Sequence, residues 1–353
     1  MTRPAATTNA TYLQDCTATV ANGQEVDQTI AAELALTRRI AQRSLADEIR
    51  GLGYDLGAEL GRGGLGIVCV ATQRVFARPV AVKRLLDVTN DSDASLKFYA
   101  EALVTAQLEH PHIVPIHDLL ADANGQLQLV MKRVDGFSWR DLLHPRSEAH
   151  QERARALGLD DHLDILLKVC DGVSFAHGRG ILHRDLKPEN VMVGAYGEVL
   201  VMDWGCAVAF GDQPHHALVP RVEAVRHVSG TPTFMAPEMV LIQAERTGPP
   251  SDVYQLGAVL YDVLTRQKPH RGTTIYDVLR DAVEGVVVHP NQAASERAAP
   301  AELSEICLAA LAKDPTQRIV IVAQFSQRLK EYCRHAQAVF LEHVARQHLA
   351  AAR

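Results

Sequence analysis

The chain has 353 residues, 47% of them hydrophobic, and a formal charge of -6; that is enough for two packed lobes, without the basic excess a general nucleic-acid binder needs. Its six cysteines, Cys16, Cys69, Cys170, Cys206, Cys307 and Cys333, are scattered with no CxxC pair, which argues against a cysteine zinc site or a disulfide framework and fits a reducing compartment. The N-terminus lacks the apolar core of a signal peptide and no long apolar run follows, so a cytoplasmic protein without a membrane span is expected.

Residues 1 to about 28 are rich in Thr, Ala, Asn and Gln and poor in large apolar groups, a composition that implies a flexible tail. From Thr29 to Ile49 the pairs Ile30 and Leu34, Leu36 and Ile40, and Leu45 and Ile49 recur at helical spacing. They predict one or two short amphipathic helices, closed by Gly51 and Gly53, as an N-terminal extension over 29–53. Between Tyr54 and Leu86, Gly and Pro punctuate the β-branched runs Ile67 to Val70 and Pro79 to Val82, which predicts antiparallel strands. After Ser95 the period becomes helical, at 161–178, 251–265, 273–284 and 302–313. The polar stretch 144–160 reads as a solvated loop or loose helix. From Ala323 to Arg353 an amphipathic helix is expected, with Phe325, Leu329, Val339, Phe340 and Val344 as its stripe, packed on the second lobe.

Chemistry enters at Gly61-Arg62-Gly63-Gly64-Leu65-Gly66, where side-chain-free positions let backbone amides approach phosphate oxygens. Alone, this pattern suits a plain turn equally well; the IVCVATQ that follows reads as a strand, which favours a hairpin over a dinucleotide-binding βα turn. In Val80-Ala81-Val82-Lys83 a lysine closes an apolar strand run and points inward, so it requires anionic partners. Phosphates supply one, and a carboxylate on the following helix the other: Glu101, with Glu109 as the alternative nearer the helix end at His110-Pro111. The segment His183-Arg184-Asp185-Leu186-Lys187-Pro188-Glu189-Asn190 is followed by Asp203-Trp204-Gly205. Here Asp185 can accept a hydroxyl proton, Lys187 can neutralise charge on a transferred phosphoryl group, and Asn190 with Asp203 can offer hard oxygen ligands to Mg²⁺.

With these motifs in this order, the chain resembles the bacterial branch of eukaryotic-type Ser/Thr protein kinases over about Tyr54 to Tyr332. The resemblance extends to Gly230-Thr-Pro-Thr-Phe-Met-Ala-Pro-Glu238, similar to the end of an activation segment, and to Ser251-Asp252-Val-Tyr-Gln-Leu-Gly257, similar to the central helix of the large lobe. It implies an α+β bilobal fold, with a small antiparallel-β lobe carrying one main helix over about 54–133 and a mainly α lobe over about 134–332; the amphipathic pattern that runs past it leaves a C-terminal helix at 333–353. It further implies ATP with Mg²⁺ or Mn²⁺, protein substrates, and self-association during autophosphorylation in trans. By the same resemblance Leu60, Val68 and Ala81 roof an adenine pocket, Met192 floors it, Met131 is its gatekeeper, and the backbone from Lys132 to Val134 is the hinge. Asp252 is expected to anchor the catalytic loop, and Arg318 to pair with Glu238.

Several residues depart from the usual pattern. Trp204 stands where most relatives carry Phe, and its buried N–H is expected to find a polar neighbour. Cys206 reads as a small buried residue. Ser138 replaces a frequent carboxylate just past the hinge, while Glu189 is kept. Arg184 beside Asp185 implies an ordering anion: phosphorylated Ser229, or Glu223 in its place, with autophosphorylation of the tail threonines as a further alternative. Thr231 is expected to bond to Asp185 and Lys187. A pseudokinase would be expected to lose a phosphate or metal ligand, and a small-molecule phosphotransferase would lack the activation segment.

Overall fold

In the computed structural model, residues 53–62, 66–85, 92–121, 126–294 and 298–351 are described. The tail and helical extension expected over 1–52 lie outside them, as do Gly63, Gly64 and Leu65. The β-branched runs form β1 (Tyr54–Arg62), β2 (Gly66–Gln73) and β3 (Arg78–Leu85), which with β4 (Ile116–Ala121) and β5 (Leu127–Lys132) make an antiparallel sheet in the order β1-β2-β3-β5-β4. Strand alternation divides β3: Ala81 and Lys83 face one side, Val80 and Val82 the other. Against the first side packs α1 (Ser92–Gln107), whose Phe98, Glu101, Ala102 and Thr105 recur at helical spacing and are all buried. Gly66 marks the close approach of β2 to β3, since a Cβ there would lie 2.4 Å from the Arg84 carbonyl oxygen.

Past the sheet, β6 (Gly136–Ser138) leads into α2 (Trp139–Leu143), with the Ser138 hydroxyl accepting the Asp141 N–H as its cap. The polar stretch forms α3 (Glu148–Arg155), capped by Ser147 and burying none of its side chains. Then come α4 (Leu159–Gly178), the short strands β7 (Ile181–Leu182), β8 (Val191–Gly194), β9 (Val199–Val201) and β10 (Val208–Ala209), and the one-turn α5 (Pro237–Val240). Strands β6, β8 and β9 form one small sheet, β7 and β10 another. These two- to four-residue strands carry too short a pattern to be read from sequence.

The large lobe is built around α6 (Pro249–Thr265), in which Ser251 to Val263 are all buried. Gly257 on α6 lets α9 (Ala301–Ala310) approach, because a Cβ at Gly257 would lie 2.6 Å from that of Ala310. The amphipathic α7 (Ile275–Glu284) and the one-turn α8 (Pro290–Ala293) precede it. The sheet lobe and helical lobe together give the α+β fold expected.

The C-terminal expectation needs correction. A continuous helix, α10 (Val322–Ala351), crosses the boundary placed at 332, so 333–351 is no separate element. Phe325 and Leu329 are fully buried, but Val339 and Phe340 are 53% and 66% exposed, because the helix runs on past the elements it packs against. Among the described residues, no helix is long and apolar enough to cross a membrane.

Candidate active site

Between the lobes lies a cavity of about 840 Å³. Its roof carries Leu60, Gly61, Gly66, Val68 and Ala81 from the small sheet; Met131 and Val134 line its back and Met192 its floor. Arg62, which the sequence placed in the phosphate loop, does not line it: the guanidinium turns along β1 to an exposed ion pair with Glu59 at 2.9 Å.

The inner half of the cavity is polar. The Lys83 ammonium donates to both oxygens of Glu101, at 2.6 and 2.8 Å, and to Asp203 Oδ1 at 3.2 Å. Glu101 reaches it from the buried stripe of α1, and the helix ends at Gln107, leaving the alternative Glu109 exposed beyond its last turn. Burial alone would lower the Lys83 pKa, but the charges of Glu101 and Asp203 outweigh it and raise it, so the ammonium is fully charged at neutral pH. For Asp203, burial acts upward and is overcome by the Lys83 charge and hydrogen bond, which hold the carboxyl below the usual range.

On the opposite wall, Asp185 Oδ2 accepts from Lys187 Nζ at 2.7 Å and from Asn190 Nδ2 at 3.2 Å, and its Oδ1 accepts from the Thr231 hydroxyl at 2.8 Å. Lys187 also donates to Thr231 Oγ1 at 2.6 Å. The loop holding Asp185 has a left-handed residue, Arg184, at φ 65°, which costs energy in a non-glycine and requires outside support. Asp252 on α6 gives that support: it accepts the backbone N–H groups of His183 and Arg184, both at 2.9 Å, and pairs with His177 at 2.7 Å. Gln255, one turn further along α6, accepts the Leu186 N–H and donates to the Arg184 carbonyl, each at 2.9 Å. Sequence reasoning missed Gln255, although its spacing from Asp252 puts the two on one helical face.

Trp204 is buried against the His183 ring at 4.5 Å, yet its Nε1 has no hydrogen-bond partner among the described residues; the imidazole it meets is engaged elsewhere, with Met202 O and the Asp185 N–H. Cys206 lines the cavity and is only partly buried, and desolvation pushes its thiol up to about 11. Glu223 is not the anion for Arg184. It is exposed and pairs with Arg221 at 3.3 Å, whereas Arg184 is buried, donates to the Cys206 carbonyl at 3.4 Å and forms no ion pair among the described residues. Ser229 sits half-buried just before Gly230. Further from the cleft, Arg318 forms a buried pair with Glu238, at 2.7 and 3.1 Å.

Comparison with known proteins agrees with this geometry. The family profile of the protein kinase domain matches residues 54–330. The serine/threonine-protein kinase PknD of Chlamydia pneumoniae is 30% identical over 292 residues, covering 79% of this chain and 31% of that protein. The PknD proteins of Chlamydia abortus and Chlamydia felis are likewise 30% identical, over 296 and 293 residues. The chain thus spans about a third of the length of these relatives.

Proposed function

Because the chain belongs to the protein kinase domain family, we propose that it is a Ser/Thr protein kinase transferring the γ-phosphoryl group of ATP, with Mg²⁺ or Mn²⁺, to hydroxyls of protein substrates. Convergence of the Lys83–Glu101–Asp203 cluster and the Asp185–Lys187–Thr231 cluster on one cavity is the observation that carries this reading.

The cavity suits such a nucleotide: it has an apolar half for a flat base and a polar half that brings the ammonium groups of Lys83 and Lys187 together with the carboxylates of Glu101, Asp185 and Asp203 for phosphates and a cation. Bound ATP supplies an electrophilic phosphorus, and its cation screens the oxygens around it. Lys83, held by Glu101, presents a fixed positive charge to phosphate oxygens. Asp203 offers a half-exposed carboxylate kept ionised by Lys83, and Asn190, whose Nδ2 is committed to Asp185, has its amide oxygen left as a cation ligand. Asp185 is the group to accept the substrate hydroxyl's proton. Lys187 and Thr231 fix its carboxylate, and the Lys187 ammonium sits where charge develops on the transferred group. An activation segment from Gly230 to Glu238, tied down by Arg318, favours peptide over small-molecule acceptors. A cytoplasmic setting and autophosphorylation in trans belong to the same reading.

The test is phosphate transfer from labelled ATP to a generic basic protein with Mg²⁺ or Mn²⁺. Asp185→Ala should lower turnover by about 10²- to 10⁴-fold with nucleotide affinity nearly unchanged. Full activity in EDTA, or a variant keeping most of its turnover, would overturn the assignment.

A further inference from the structure

Asp262 stands in the last turn of α6 with no exposure to solvent, so its carboxylate needs donors or cations beside it. His144, just past α2, meets its Oδ1 through Nε2 at 2.8 Å. The Lys268 ammonium, from the loop after α6, donates to its Oδ2 at 2.5 Å. A point charge on a flexible stem could satisfy the carboxylate from several directions. This one also lies over the Phe234 ring, 4.5 Å from the centroid, so it meets carboxylate and ring at once. The ring face attracts a cation, and more strongly where water is kept out. Phe234 is fully buried and the Lys268 side chain mostly so.

Phe234 stands one turn from the chemistry. It closes a 3-10 turn, Pro232–Phe234, in which its N–H donates to the Thr231 carbonyl at 2.9 Å. The Thr231 hydroxyl in turn donates to Asp185 at 2.8 Å and accepts from Lys187 at 2.6 Å. Just before the turn, Gly230 takes φ 112°, a conformation open to glycine, and forms a joint about which the turn can swivel. Beyond it, the Arg318 pair fixes Glu238. The ring is thus the lever by which α6 can set the turn between joint and anchor. We propose that Lys268 is a positioning residue for the acceptor. Braced by Asp262, its charge holds the Phe234 ring, and through the turn it keeps Thr231 and the peptide-bearing segment in register with Asp185.

Because this role rests on the kinase reading above, one readout is chosen that needs no activity. In the full chain, Lys268→Met with Asp262→Asn takes the charge off the ring and leaves no buried carboxylate unpaired. The KM for the basic protein acceptor should rise about tenfold with the KM for ATP unchanged, and kcat should fall by no more than about threefold, because Lys187 still fixes Asp185. Amide hydrogen exchange across 231–236, measured without nucleotide or acceptor, should quicken about tenfold, with the β8 and β9 peptides unchanged. Lys268→Arg keeps a cation for both carboxylate and ring, and should stay within about threefold of the native chain in every readout. If the double variant does not fold, Phe234→Leu asks the same question, since leucine keeps apolar volume but presents no ring face. A native acceptor KM or native exchange in the folded variant, or an arginine variant as impaired as the double one, would overturn the proposal. A rise in both KM values together would also overturn it, by showing a general loss of the cleft. Should the native chain transfer no phosphate, the kinase reading falls and the exchange comparison decides the positioning one.

Discussion

Glu101 separates positioning from binding at the scale of a single residue. Its carboxylate is engaged with Lys83 in the polar half of the cavity, so Glu101→Gln should cut turnover by roughly ten- to a hundredfold while adenosine affinity stays within about threefold. Steady-state kinetics beside calorimetry checks this, and equal losses in both would point to collapse of the small lobe. His162 offers a pH test away from the cleft. Burial and the neighbouring Arg266 depress its pKa to about 4, and its Nδ1 accepts the Trp139 indole N–H at 3.0 Å. An unfolded chain binds a proton there below about pH 6.5 and the folded chain does not, so stability is complete above that pH and falls as pH drops towards 4. The slope from this residue is about 1.4 kcal/mol per pH unit, and denaturant unfolding of His162→Gln should show it removed. The ionisable site residues were legible in the sequence because phosphoryl chemistry allows few alternatives at that spacing. The Trp204 partner was not: a rule about buried N–H groups gives a tendency, while packing on His183 decided the outcome. Trp204→Phe should therefore change stability by less than about 2 kcal/mol, since losing indole contacts is offset by removing an orphaned donor.

Among the elements, α6 carries the most. Asp252 and Gln255 on it hold the catalytic loop in its left-handed turn, and Gly257 on it admits α9. Gly257→Val should cost about 2–4 kcal/mol, because the new side chain meets Ala310 in a packed core; calorimetry of the folded variant measures it. Arg318→Ala should cost about 3–5 kcal/mol by leaving Glu238 buried and unpaired, an effect that Glu238→Gln made in the same chain should partly relieve. The long helices and the β2 and β3 runs were readable because their apolar period extends over several turns or pairs. Strands β6 to β10 were invisible, since each is only two to four residues long and, the β8–β9 hairpin apart, they pair with chain segments far away in sequence.

Considered as a whole molecule, the chain places its chemistry at the seam of two lobes and leaves one arm outside both. Beyond Arg334, most of the described side chains of α10 are exposed, Val339, Phe340 and Leu341 among them. Ending the chain after Arg334 should shift Tm by no more than about 2 °C and leave phosphoryl transfer intact, since the His335–Glu302 contact it removes is exposed and long. Thermal melts with activity assays decide it. The amphipathic stripe in the sequence predicted packing along this whole helix; periodicity reports that a face is apolar, and says nothing of whether a partner surface is within reach.

The chain holds two tryptophans, and the fold gives each a separate optical address. Trp139 lies under the large lobe against His162, while Trp204 adjoins the proposed cation ligand Asp203; both are shielded from water. In a Trp139→Phe chain all indole emission arises one residue from that ligand. Its intensity, followed during titration with magnesium and nucleotide, then reads the state of the loop directly, without a label, and its red shift in denaturant reads the loss of the core around it.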